Sequence, residues 1–223
     1  MKVGRKLANK LLNASKFVLS MPEPTADEVM TPIDAAMMAR LDAVVADATE
    51  AFNGFDYARA LERTESFFWW FCDDYVELVK TRAYQDVQGS TSARASLRKA
   101  IRTLHLLFAP FLPFTTDTVW EWYESGSVHT TAWPKPTGTT GDESILDATF
   151  EVLSRVRRAK TEGQVSQRHQ VDKCLVQAPQ AFLDSLDAGK PDLIAAGSLD
   201  FLITAEAPEL SVDVTLAPKP ITE

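Results

Sequence analysis

Five aromatic residues stand in a row at Phe67-Phe68-Trp69-Trp70-Phe71. On a helix, successive side chains point about 100° apart, so this run covers nearly every face of the helix that carries it. Such a helix has no face left for water and is sandwiched inside a bundle or packed on another domain. Packing therefore outweighs a ligand-binding role for these rings. The flanking sequence supplies the bundle. Val3, Leu7, Leu11, Ala14 and Val18 make an apolar stripe over about 4–20, stopped by Met21-Pro22-Glu23-Pro24. Thr31-Pro32-Ile33-Asp34 predicts a helix start, with Thr31 as N-cap, Pro32 in the first turn and an acid three residues on. That helix runs to about Phe52 and is closed by Asn53-Gly54. One longer helix is predicted over about 56–84, and another over about 93–109 after the Gly89-Ser90-Thr91-Ser92 linker, ended by Pro110. A short helix follows Pro113, and these five helices with short links make a bundle.

The pattern changes after Tyr123. Residues 124–143 are rich in Ser, Thr, Gly and Pro and read as a loop crossing to a second unit. Ile145, Thr149, Val152, Val156 and Ala159 form one more helical stripe. VDKCLV at 171–176, LDFLIT at 199–204 and LSVDVTL at 210–216 alternate as strands do, with short helices opened by Pro179 and Pro191 between the first two. The expected division is a helical bundle over 1–136 and a small α/β domain over 145–218.

Of the 223 residues, 45% are apolar and 24% charged, as in an ordinary globular protein rather than a disordered one. No apolar run approaches the roughly 18 residues of a membrane span. The basic start MKVGRKLANKLL lacks the apolar core and cleavage site of a secretory signal. No membrane partner is expected. Cys72 and Cys174 stand alone and far apart, which excludes a disulfide scaffold or a CxxC zinc site and points to a reducing cytoplasm.

The net charge of −8 argues against indiscriminate nucleic-acid binding. The charges, however, are segregated. Residues 1–20 carry Lys2, Arg5, Lys6, Lys10 and Lys16 with no acid, and 23–50 carry seven acids against Arg40 alone. Arg94, Arg98, Lys99 and Arg102 form a second block without an acid, 155–173 hold six basic residues and two acids, and 180–214 return to −6. An acidic body with local basic faces suits selective contact with a polyanion; patchiness on solvated helices gives the same count.

Catalytic signatures are missing. There is no GxxxxGK[ST] loop, no GxGxxG after a strand, no GxSxG elbow and no HExxH. His105, His129 and His169 share no ligand spacing, and His105, inside Leu104-His105-Leu106-Leu107, reads as a satisfied core histidine. Asp73 and Asp74 are adjacent and so point about 100° apart, which forbids one carboxylate pair. No catalytic residue, metal site or cofactor is expected.

The first helix is the exception to this blandness. With Leu7 set at zero and about 100° per residue, Val3, Leu11, Ala14 and Val18 fall within about 40° of it. Arg5, Lys16, Asn9, Lys2, Asn13, Lys6, Phe17 and Lys10 take the opposite half in that angular order. Phe17 thus lies among Asn13, Lys6 and Lys10. A phenyl ring there is either covered by another element of the bundle or serves as a stacking platform for an unpaired base. The amides supply donors and acceptors for base edges and the lysines neutralise phosphates. The candidate RNA-binding set is Arg5, Lys6, Asn9, Lys10, Asn13, Lys16 and Phe17, with secondary contacts at Arg157, Arg158, Lys160 and Arg168.

Residues 5–19, Arg5-Lys6-Leu7-Ala8-Asn9-Lys10-Leu11-Leu12-Asn13-Ala14-Ser15-Lys16-Phe17-Val18-Leu19, resemble the opening helix of the anticodon-binding domain of class I aminoacyl-tRNA synthetases. The Asn-Lys-Leu-x-Asn-Ala-x-Lys/Arg-Phe-Val pattern is most similar to the valyl enzymes, with the isoleucyl enzymes next. Phe52-Asn53-Gly54-Phe55-Asp56-Tyr57-Ala58 and the stretch from Phe67 to Tyr75 resemble the second and third bundle helices. Leu106 to Phe114 with Trp120 resembles the proline-broken penultimate helix, and Ser127-Val128-His129 with Trp133-Pro134 the closing loop. The matches span about 3–136; Arg157 to Glu162 and Val165-Ser166 resemble the following segment more loosely.

The resemblance implies a mainly α fold, a helical bundle of the class I synthetase anticodon-binding type followed by a small α/β unit. It also implies a parent enzyme that joins valine to its tRNA using ATP. The HIGH-type and KMSKS-type signatures are absent, and Met1 leads at once into the anticodon helix, so a C-terminal fragment, inactive alone, is expected. ATP belongs to the missing catalytic domain, and the implied partners are tRNA and that domain. No heptads of a coiled-coil arm are evident. The alternatives are a helical protein-interaction module without RNA binding and the equivalent domain of an isoleucyl enzyme.

Overall fold

The computed structural model describes residues 2–26, 29 and 31–218, and the chain divides into two compact units, Met1–Gly141 and Asp142–Glu223. The fold is mainly α, a helical bundle followed by a small α/β unit.

In the first unit, α1 spans Lys2–Leu19 and α2 spans Pro32–Asn53, closed at Gly54. Thr31 precedes α2 as predicted, but its hydroxyl donates to the Asp34 carboxylate instead of capping the backbone. Asp56 does cap α3 (Tyr57–Trp70), accepting from the Arg59 amide at 3.1 Å.

The single helix predicted over 56–84 is interrupted: Phe71–Tyr75 form a π turn before α4 (Val76–Tyr84). The buried positions explain it. Phe67, Phe71, Tyr75, Val79 and Ala83, four residues apart, are all interior. Steps of four drift by about 40° each on a helix of 3.6 residues per turn, and one wide turn takes that drift back.

Helix α5 (Ser90–Phe108) starts earlier than predicted because Gly89, at φ 80°, makes a left-handed turn directly before it. A Cβ at Gly89 would stand 3.0 Å from Thr31 Cγ2. After the break at Pro110 come α6 (Pro113–Trp120) and a 3₁₀ turn, Val128–Thr130. The loop predicted over 124–143 is strapped to α2 along part of its length. Asp42 accepts from the Thr137 amide (2.8 Å), the Thr137 hydroxyl (2.9 Å) and the Gly138 amide (2.9 Å). Trp133 packs on Phe52 and donates from Nε1 to Thr49 Oγ1 at 2.8 Å.

Two buried polar clusters fix the register of the bundle. Asp34 is fully buried; Arg82 grips it with Nη2 on Oδ1 (2.8 Å) and Nη1 on Oδ2 (2.9 Å), and Tyr75 and Ser92 donate at 2.6 and 2.7 Å. Burial alone would raise the Asp34 pKa; the Arg82 guanidinium and the hydroxyl donors reverse that and hold it below the usual range. His105 is fully buried between α1 and the turn after α6, with Nε2 2.7 Å from Ser15 Oγ and Nδ1 2.7 Å from the Tyr123 hydroxyl. Ser15 gives its own proton to Leu11 O (2.7 Å), so Nε2 donates to Ser15 and Nδ1 accepts from Tyr123. This neutral, saturated ring is the core histidine predicted. Since Ser15 meets His105 while Met21 O meets Arg98, α1 runs antiparallel to α5.

In the second unit α7 (Ser144–Glu162) precedes β1 (Val171–Ala178), α8 (Gln180–Asp187), α9 (Lys190–Gly197), β2 (Leu199–Glu206) and β3 (Ser211–Leu216). The sheet order is β2-β1-β3, with β2 parallel to β1 and β3 antiparallel. The parallel pair requires a crossover, which α8 and α9 supply. Leu146, Val152, Val156, Cys174, Val176, Leu186 and Leu193 form its dry core.

Candidate nucleic-acid interface

Helix α1 lies at the edge of the bundle, packed chiefly on α5 and α6. Leu7, Leu11, Ser15 and Val18 are its buried side, and Arg5, Lys6, Asn9, Asn13 and Lys16 are exposed. Lys10 and Phe17 are half-buried. The side chains of Lys2 and Val3, and Asp27 and Glu28 of the acidic stretch, lie outside those described.

An open groove of about 160 Å³ runs beside α1, lined by Lys10, Asn13, Ala14 and Phe17 on one wall and by Cys72, Val76 and Glu77 on the other. It brings together three of the predicted residues. Phe17 is neither a core ring nor a bare one: the Tyr84 ring meets it edge-on, with centroids 5.6 Å apart and planes at 82°, and another part of the ring lines the groove. The opposite wall comes from the π turn and the first turn of α4.

The lysines sit over two indoles, Trp69 of the aromatic run and Trp122. Lys6 Nζ lies 5.2 Å and Lys10 Nζ 5.8 Å from the Trp69 ring centre, and Lys16 Nζ lies 5.6 Å from that of Trp122. Trp69 Nε1 donates to Glu65 at 3.0 Å. Within the aromatic run Phe67, Phe68 and Phe71 are buried, while Trp69 and Trp70 are half-buried and covered by cations, Arg40 standing 4.6 Å from the Trp70 ring centre. The available signal was the four-residue step from Lys6 to Lys10, which stacks two ammonium groups on one face.

One acid on the groove wall, Glu77, and one beside it, Asp73, are not placed there by the sequence pattern. Lys10 Nζ donates to Asp73 Oδ1 at 2.6 Å. Partial burial works against its charged form, but Asp73 more than offsets this, and Lys10 is held protonated above the usual lysine range. Burial pushes the Cys72 thiol up to about 12, Lys10 opposing and Asp73 adding, so it contributes a neutral, unreactive wall. The cationic rim of Arg5, Lys6 and Lys16 and a groove of mixed amide, ring, thiol and carboxylate are thus different surfaces. The rim suits phosphates and the groove suits a base.

The other basic blocks are used differently. Arg94 is buried and donates from Nε to Ala83 O (2.7 Å) and from Nη2 to Gln85 O (2.9 Å), closing the end of α4. Arg98 binds Met21 O (3.3 Å) and Glu23 (2.8 Å), and Arg102 binds Glu124 (2.7 Å) above the Trp120 ring. In the second unit Arg168 is exposed, Arg157 half-buried, and Arg158 exposed and paired with Glu162 at 2.7 Å. Lys160 corrects the prediction. It is 1% exposed, and its ammonium donates to Gln167 O (2.9 Å) and Gly197 O (2.8 Å), so it ties backbone together and cannot reach RNA. Burial lowers its pKa.

Among the described residues no helix is long and apolar enough to cross a membrane, and no group of three His, Cys, Asp or Glu side chains is placed to hold a metal ion. Comparison with known proteins joins these features. The chain is 49% identical over 230 residues to a valine–tRNA ligase of Thermobifida fusca, an alignment covering 98% of this chain and 26% of that protein. It is 41% identical to the valine–tRNA ligase of Leifsonia xyli, covering 100% of this chain and 27% of the relative, and 38% identical to that of Anaplasma marginale, covering 98% and 28%. The chain thus spans about a quarter of the length of these curated relatives. Residues 34–175 match the family described as the anticodon-binding domain of tRNA ligase, and the chain belongs to that family.

Proposed function

We propose that this chain binds the anticodon arm of a tRNA on the outer side of α1, as part of a valine–tRNA ligase whose amino-acid activation with ATP is carried out elsewhere in the polypeptide. The observation that carries the reading is the groove in which Lys10, Asn13 and Phe17 meet on a helix free of acids. An unpaired base stacks on the part of Phe17 that Tyr84 leaves open, Asn13 bonds its edge, and Arg5, Lys6 and Lys16 on the rim neutralise flanking phosphates. Lys10, braced by Asp73, joins rim to groove. The partners are the tRNA and the remainder of the ligase. This chain uses no cofactor of its own, and its setting is the reducing cytoplasm, in keeping with two buried free thiols, Cys72 and Cys174.

Phe17→Ala tests the reading when tRNA affinity and thermal unfolding are measured together. Base–aromatic stacking is worth about 1–3 kcal/mol, so affinity falls roughly 5- to 150-fold. A fully buried Phe removed from a core costs about 3–5 kcal/mol; half-buried Phe17 costs less. Lost stability with unchanged affinity among the folded molecules returns Phe17 to the bundle and ends the stacking idea.

A further inference from the structure

The wall opposite Phe17 carries a carboxylate. Glu77 lines the same groove as Asn13 and Phe17, in the first turn of α4. Lys80, one turn on, donates to Oε2 of Glu77, and a carboxylate has acceptor capacity beyond one such bond. Asp73 stands beside Lys10 at the groove's margin. Glu77 makes the groove a poor phosphate site, because an anion entering it meets this carboxylate beside a Lys10 whose charge Asp73 already offsets. A neutral ring carries no such penalty. The groove is also small for a larger ligand, at about 160 Å³.

We infer that Glu77 makes this groove prefer a base whose edge presents an amino group, that is cytosine, adenine or guanine, over uracil. The inference rests on the anticodon-binding reading above and adds a specificity-determining residue to it. Phe17 stacks any base, since every base has a π face, and Asn13 offers both a donor and an acceptor. Neither discriminates strongly by itself. A carboxylate accepts only: it bonds an exocyclic N–H of cytosine, adenine or guanine, whereas uracil offers it a single ring N3–H flanked by two carbonyls whose lone pairs the carboxylate repels. The π turn matters because it sets the register that carries Cys72, Val76 and Glu77 to this wall.

The test uses transcripts of a valine tRNA in which each anticodon position is changed in turn to uridine, bound to the chain carrying Glu77 or Glu77→Gln. With Glu77, uridine at one position weakens binding about tenfold relative to the parent transcript. With Glu77→Gln, whose amide both donates and accepts, that ratio falls to about two or less, while losing a negative charge tightens all transcripts alike. Unchanged thermal unfolding of the half-exposed Glu77 variant confirms that the fold is intact. Binding without a uridine penalty at any position, or a penalty that survives Glu77→Gln, overturns this inference and leaves the RNA reading standing. Failure of every transcript to bind overturns both.

Discussion

Helix α1 carries Lys2, Arg5, Lys6, Lys10 and Lys16 without an acid, and α5 carries Arg94, Arg98, Lys99 and Arg102 without an acid. As strings of charge the two are nearly equivalent. In space they are not: α5 packs against α1, α2, α3, α4 and α6, whereas α1 is an edge helix. Arg94, Arg98 and Arg102 are accordingly turned to backbone carbonyls and carboxylates of neighbouring segments. Arg5, Lys6 and Lys16 remain at the surface, two of them over indole rings. A formal charge count therefore finds basic helices, and only the number of neighbours tells which has charge to spare for a polyanion.

Breaking α5 has the largest expected effect. Arg94→Ala takes the donor from the buried Ala83 carbonyl at the end of α4 and from the carbonyl of exposed Gln85, which water can replace; an orphaned buried polar group costs about 1–3 kcal/mol. Unfolding in denaturant then shows a loss of about 1–3 kcal/mol, while the tRNA affinity of the folded molecules is unchanged. Weakened binding with intact stability reverses the assignment of the two helices.

The seam between α1 and α5 gives a pH test. Burial lowers the His105 pKa from 6.5 to about 3. The unfolded chain takes up a proton below pH 6.5 that the fold refuses, so stability is full above that pH and falls as pH drops toward about 3. The limiting slope is about 1.4 kcal/mol per pH unit. Asp34 acts in the same direction but lower: its depressed folded pKa means that its contribution is complete above its unfolded value of about 3.9 and fades only below it. Between pH about 6.5 and 4.5 the slope belongs to His105. His105→Gln flattens urea-derived stability across that window; an undiminished slope sinks the assignment.

The smallest effect sharpens the comparison most. Arg5→Ala, Lys6→Ala and Lys16→Ala each reduce the log–log salt dependence of RNA binding by about 0.7 if each neutralises one phosphate of a single strand. Lys10→Ala reduces it less, because Asp73 already offsets that charge. Arg98→Ala and Arg102→Ala leave the slope alone. Equal slopes for all six variants make α1 a solvated surface and no more.

Most helix ends were legible because proline and glycine act on their immediate neighbours; the start of α5 was placed about three residues late. The strands at Val171, Leu199 and Ser211 showed because alternation is a local signal. The π turn was not legible: nothing in Phe71-Cys72-Asp73-Asp74-Tyr75 breaks a helix, and its cause is the drift of a buried stripe summed over the 17 residues from Phe67 to Ala83. Asn13 and Phe17 emerged from angular position on one helix. Glu77 and Trp69 did not, because they reach the site from other helices. Lys160 misled for the same reason, its carbonyl partners lying 7 and 37 residues away.

That buried lysine also keeps time. An amine sealed at 1% exposure reacts with an acylating reagent only after the α/β unit opens, whereas exposed Lys173 on β1 reacts at once and serves as an internal clock. When reagent is slow relative to reclosing, the ratio of the two labelling rates reads the equilibrium population of the open form; when it is fast, the Lys160 rate becomes the opening rate itself. One residue thus turns the opening of the second unit into a mass-spectrometric signal.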